Sequence, residues 1–230
     1  MTDETYVPVI TIDGPSGSGK GVIAHRLANT TGFHILDSGA LYRLIGLSAR
    51  KHNLSLDAEN ELARLARRLD VKFVRTQDAQ EPLRIMLENK DVTRQIRTDE
   101  AGTDASRVAP LNLVREAIKE LQRDFRQSPG LIADGRDMGT VVFPAADVKI
   151  YLTASAQTRA ERRYKQLIDK DIDVSLHDLF LSIQRRDERD MNREVAPLKP
   201  ATDALIIDST EIGIDEVFHR VIERVREIGI

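Results

Sequence analysis

The stretch VITIDGPSGSGKGVIAHRL, residues 9 to 27, constrains the fold more than any other in the chain. Val7 to Ile12 is β-branched and almost continuously apolar, as in a strand buried on both faces of a parallel sheet. Gly14, Pro15, Ser16, Gly17, Ser18, Gly19 and Lys20 follow at once. From Lys20 to Thr31, Ile23, Ala24 and Leu27 recur at helical spacing, with Gly32 as a stop. A strand, a glycine loop with lysine in register and a helix form a phosphate cradle, in which loop amides and the positive helix end meet an anion. The natural ligand is a nucleoside triphosphate. Position 21 is Gly and position 22 is Val, however, where a hydroxyl would ordinarily hold magnesium. A loop degraded to binding without transfer therefore stays open as an alternative.

Further short apolar runs at 33–36, 131–133, 148–152 and 205–207 alternate with helical patterns near 39–52, 57–69, 99–108, 112–127, 156–169, 176–191 and 214–228. Five strands separated by helices predict an α/β fold with a parallel sheet. Residues 71–93 break the rhythm: two alternating runs flank polar turn residues, which predicts an inserted antiparallel hairpin. Asn89-Lys90-Asp91 resembles a guanine-reading motif, but the spacing is one short and a plain turn is the better reading. Ser175 and Asp178 form a capping-box pattern.

The 230 residues suit one α/β domain with an insertion. A formal net charge of -3 offers no bulk attraction to nucleic acid or anionic membrane, so an anion site must be local. With no cysteine, thiolate metal sites and thiol nucleophiles are excluded, and a reducing compartment is compatible. The five histidines show no metal spacing. The start MTDETYV has no basic segment, and no apolar run approaches the roughly 20 residues of a spanning helix. A cytoplasmic protein with no membrane or nucleic-acid partner is the expectation.

Three further segments suggest an acceptor. LDSGALYR, residues 36–43, puts Asp37 and Ser38 at a helix start with Tyr42 and Arg43 a turn on; Arg43 is one arm of a phosphate clamp or a solvated surface charge. ADGRDMGT, residues 133–140, ends an apolar strand, so Asp134, Arg136 and Asp137 fall where open α/β sheets bind ligands. In RRDERDMNR, Arg186, Asp190 and Arg193 recur at i, i+4 and i+7, as a two-armed anion site or as a salt-bridged surface helix. Arg159, Arg162 and Arg163 precede the polar loop IDKDIDVS, either as a mobile lid or as a solvated helix face.

The sequence G-K-G resembles the nucleoside monophosphate kinases, in which glycine commonly follows the lysine. Taken together, GPSGSGKG, LDSGALYR, IRTDEAGTDAS, VREAI, LIADGRDMGTVVFP, RRDERDMNR and LIIDST resemble the bacterial cytidylate kinases, from about Val9 to Thr210. The resemblance implies a three-layer P-loop kinase core with strand order 2-3-1-4-5, a small monophosphate-binding insertion at about 65–107 and a short lid near 156–172. It implies that ATP, on residues 14–22, phosphorylates CMP and dCMP. Arg43, Arg136 and Arg193 would hold the acceptor phosphate with Ser38, Asp190 and Arg186 would meet the ribose, and Ser106, Arg115 and Asp137 would read the base. Lys20, Arg136, Arg193, Arg162 and Arg163 would carry catalysis. Magnesium would be held by ATP and water, with Asp37 as a nearby carboxylate. A monomer is implied as well.

Overall fold

A computed structural model describes residues 6–76, 78, 81–169 and 172–230. The apolar run expected first becomes β1, Val9–Asp13, with all five residues buried. After the glycine loop comes α1, Lys20–Thr31, which stops where Gly32 takes φ 78° and returns its amide to Ala28 O. A left-handed stop of this kind is what glycine permits without strain. The other core strands are β2, His34–Asp37, then β6, Leu131–Gly135, β7, Val148–Thr153, and β8, Leu205–Asp208.

Between β2 and β6 lie α2, Ser38–Lys51, α3, Glu59–Ala66, β3, Val71–Arg75, β4, Leu83–Leu87, β5, Lys90–Asp91, α4, Thr93–Ile96, α5, Asp99–Val108, and α6, Asn112–Asp124. After β6 come a π-helical turn, Met138–Val142, then α7, Ala156–Ile168, α8, Leu176–Asn192, and α9, Ile214–Glu227. The α/β fold has a five-stranded parallel sheet in the order β2-β6-β1-β7-β8. Counted among these five alone, the order is the expected 2-3-1-4-5.

Contacts divide the chain into two compact units: Phe33–Leu131 with the stretch ending at Val7, and Pro8–Gly32 with Ile132–Ile230. In the first, β3 and β4 pair antiparallel from Val71 opposite Leu87 to Arg75 opposite Leu83. The predicted hairpin is therefore present, although Gln77, Ala79 and Gln80 at its turn lie outside the described residues. A second, unexpected turn follows: Glu88 and Asn89 have φ 51° and 61°, and β5 pairs back on β4. Two consecutive left-handed residues match the twist of a tight hairpin, so Asn89 serves a turn. Leu62, Ile85, Ile96 and Ile118 are among the buried apolar side chains of this unit.

In the second unit β1 and β7 run parallel with Ile10 opposite Val148, and β7 and β8 with Ile150 opposite Leu205. Such pairing leaves the carboxyl ends of the strands together, and Asp13 lies opposite Tyr151 there. Ser175 caps α8 by accepting the Asp178 amide, as its spacing predicts. Among the described residues no helix is long and apolar enough to cross a membrane.

Candidate active site

The loop after β1 is shaped by its main chain. Gly14 has φ 149°, and a Cβ there would stand 2.0 Å from Leu152 O on β7, so only glycine fits. Gly19, at φ 100°, turns the chain into α1, whose N-terminus has no side-chain cap. Uncapped first-turn amides and a positive helix end are what a phosphate requires. Lys20 is buried and folds over the loop, its Nζ donating to Pro15 O at 2.9 Å and lying 3.9 Å from Asp134. Ser18 Oγ donates to the same carbonyl at 3.1 Å. Burial, with Arg136 nearby, pushes Lys20 down to about 8.

The missing hydroxyl has a visible counterpart. A Cβ added at Gly21 would meet Asp134 Oδ2 at 3.7 Å, so this carboxylate from β6 borders the place where the hydroxyl would stand. Val22 is 50% exposed. Asp37 is used otherwise: its Oδ1 accepts the Ala40 amide at 3.0 Å and caps α2.

Beyond β6, Arg136 donates from Nε to Asp190 Oδ2 at 2.9 Å and from Nη1 to Gly135 O. Buried Asp137 lies 3.8 Å from Arg193 Nη2. Arg186, half-buried on α8, acts on Lys20 through its charge. The expected single helical face needs a correction, because α8 ends at Asn192 and Arg193 has ψ 140°. The chain turns back there: Arg193 Nε donates to Ala196 O, and Leu198 N to Asp190 O. Arg193 thereby leaves the helix surface and meets Asp137.

The arginines of α7 divide. Arg159 is 3% exposed and spends its guanidinium on Ala154 O, Ser16 O and the carboxylate of Asp187. It is an internal brace between the glycine loop and α8, and not a solvated residue. Arg162 donates to Ser209 Oγ at 3.1 Å and to Ser209 O at 2.6 Å, while Arg163 is half-buried. Lys170 and Asp171 of the expected lid lie outside the described residues.

In the first unit Ser38 and Tyr42 are buried. Gln122 of α6 donates to Ser38 Oγ at 2.7 Å. Arg43 reaches from α2 to the carbonyls of Ile96 and Thr98, at 2.7 and 3.5 Å. Buried Arg115 donates to Ala109 O, and Ser106 to Gly102 O. Both arginines thus donate to main-chain carbonyls of their own unit.

Sequence reasoning missed Gln122 and Asp187, whose partners lie 84 and 28 residues away. It also missed Asp13, although an acid closing an otherwise apolar strand was a readable signal. Asp13 is 4% exposed and is pushed up to about 7 by burial, against the amides of Gly139 and Met138 that favour its charge.

A family model for cytidylate kinase matches residues 10–227. A cytidylate kinase of Aeromonas hydrophila is 57% identical, covering 94% of this chain and 92% of its own length. One of Shewanella amazonensis is 56% identical, with 96% and 95% covered. An uncharacterized protein of Eubacterium ventriosum, of solved structure, aligns with a TM-score of 0.50 at 11% identity over 95% of this chain and 98% of its own, a likeness of fold alone. A glycine loop with a buried lysine, the acceptor segments quoted from the sequence and these near full-length matches agree, and the chain belongs to the cytidylate kinase family.

Proposed function

We propose that this chain transfers the γ-phosphoryl group of ATP in line to the phosphate of CMP or dCMP, giving ADP and CDP or dCDP. One observation carries the reading: Lys20, buried at the glycine loop, shares its surroundings with Asp134, Arg136 and Arg186, and the last two belong to the acceptor segments. Gly14, Pro15, Ser16, Gly17, Ser18, Gly19, Lys20, Gly21 and Val22 hold the triphosphate, and Lys20 exchanges Pro15 O for phosphate oxygens. A phosphate oxygen is already a competent nucleophile, so no general base is needed. Catalysis rests on positioning and on charge stabilisation by Lys20, Arg136, Arg193, Arg162 and Arg163.

For the acceptor, Ser38, Arg43, Arg136 and Arg193 bind the phosphate, Arg186 and Asp190 the ribose, and Tyr42 belongs to the same substrate site. Ser106, Arg115 and Asp137 read cytosine. A carboxylate accepts from the cytosine 4-amino group and faces an unfavourable carbonyl in uracil, so Asp137 discriminates against UMP. Residues 65–107 serve as the monophosphate-binding insertion and 156–172 as the lid.

The donor set fits magnesium brought by the nucleotide. Asp134 borders position 21 and Asp37 is engaged as a cap, so Asp134 is the better of the two carboxylates to hold the ion through water. When bound, the ion neutralises phosphate charge. A cytoplasmic monomer completes the proposal.

ADP release measured with ATP, magnesium and, in parallel, CMP, dCMP, UMP, AMP and dTMP is the test. Turnover confined to CMP and dCMP is expected. Preference for another acceptor, or none with any, overturns the reading, and elution on gel filtration as a larger species overturns the monomer.

A further inference from the structure

Asp13 ends β1 one residue before the glycine loop, and none of the roles given above uses it. Its two oxygens accept separately: Oδ1 from Met138 N and Oδ2 from Gly139 N, each at 2.8 Å. These are the two amides that follow Asp137. The same segment is held from within, because Val141 N and Val142 N both donate to Asp137 O, at 2.9 and 3.2 Å, and close the π-helical turn. The main chain on the carboxyl side of Asp137 is thus fixed twice, once by its own carbonyl and once by Asp13. A buried carboxylate costs several kcal/mol unless donors meet it, and these are two charge-assisted bonds to backbone.

We propose that Asp13 is a positioning residue for the phosphoryl acceptor: its ionised carboxylate clamps Met138 and Gly139, and so sets Arg136 and Asp137 for the incoming nucleoside monophosphate. This rests on the acceptor reading of Arg136 and Asp137 given under Proposed function. The clamp and the glycine loop share one stretch of chain, since Gly14 is bound to Asp13 and is itself locked beneath Leu152 O. Three groups act electrostatically with Asp13: Asp137 after β6 opposes its charge, Lys20 on α1 favours it, and Tyr151 on β7 is pushed up partly by it. A protonated Asp13 would turn an O–H toward a backbone N–H and lose one of its two bonds.

Kinetics of Asp13→Asn with ATP and varied CMP, set beside the wild type, test the proposal. The amide keeps the shape but places its NH2 against a main-chain N–H. The KM for CMP is expected to rise about tenfold, the worth of one hydrogen bond to a charged group, with the KM for ATP within about twofold. A merely structural role would lower the active fraction, and with it kcat, while leaving both constants in place. That result, or an equal rise in both constants, overturns the inference alone. Absence of CMP turnover in the wild type overturns the acceptor reading and this inference with it. Should the variant not fold, hydrogen exchange of the wild type without nucleotide decides: the Met138 and Gly139 amides, donors to the buried Asp13 carboxylate, should exchange far more slowly than the amides of an open loop. Exchange at open-loop rates overturns the clamp.

Discussion

On the proposed function, the glycine loop and the acceptor arms would bind anions by different means. In the loop, main-chain conformation provides the cradle: Gly14 fits only without a Cβ, and Lys20 lies folded on Pro15 O. In the arms, side chains already hold protein partners, Arg43 the Ile96 carbonyl and Arg136 the carboxylate of Asp190. The loop is prepaid in backbone geometry, whereas the arms must exchange partners when substrate arrives. Damage to the loop should therefore appear in kcat, and damage to Arg43, the arm given no part in charge stabilisation of the transfer, in the acceptor's KM.

Lys20→Ala should produce the largest effect, a fall in kcat of about 10³-fold in an ADP-release assay, with the KM for CMP nearly unchanged. A rise in that KM matching the loss in kcat would erase the distinction between loop and arms. Arg43→Ala should raise the KM for CMP by about 100-fold through the loss of a charge-assisted phosphate contact, and leave the KM for ATP in place. Asp137→Asn should lower the CMP-over-UMP ratio of specificity constants by about tenfold or more; an unchanged ratio removes Asp137 from base reading.

Stability against pH should separate the two buried charges of the loop. Asp13 is raised from 3.8 to about 7, so between these values the folded chain keeps a proton that the unfolded chain has lost, and stability falls as pH rises. Lys20 is lowered from 10.5 to about 8, so between these values the unfolded chain binds more protons, and stability rises with pH. Melting temperatures of the unliganded chain should pass through a minimum between about 7 and 8, with the alkaline rise absent in Lys20→Met. ATP, which stabilises charged Lys20, should flatten that rise. Val22→Thr, at an exposed position, should have the smallest effect, less than about threefold in kcat. A larger gain would make the lost hydroxyl a limit on transfer.

The loop was legible because its signal is local: strand, glycines, lysine and helix fall within 23 residues, from Val9 to Thr31. The hairpin at 71–93 was legible for the same reason, its alternation pairing Val71 with Leu87. Arg193 was misplaced because helical periodicity was carried one residue past a helix end set by contacts of Ala196 and Leu198. Spacing alone leaves Arg159 open as a lid arm or a solvated residue, because it does not reveal that Asp187 and Ser16 O meet its guanidinium.

By itself the sequence determined the element order, the phosphate cradle and, through its motifs, the family, since each depends on residues close along the chain or on order along it. Tertiary structure decided which of the many acids and arginines face one another. Asp13 meets Met138 across 125 residues and Arg136 meets Asp190 across 54. A charge is a local property of its residue, but its partner, its burial and hence its readiness to bind or to titrate are set by what the fold brings within about 4 Å.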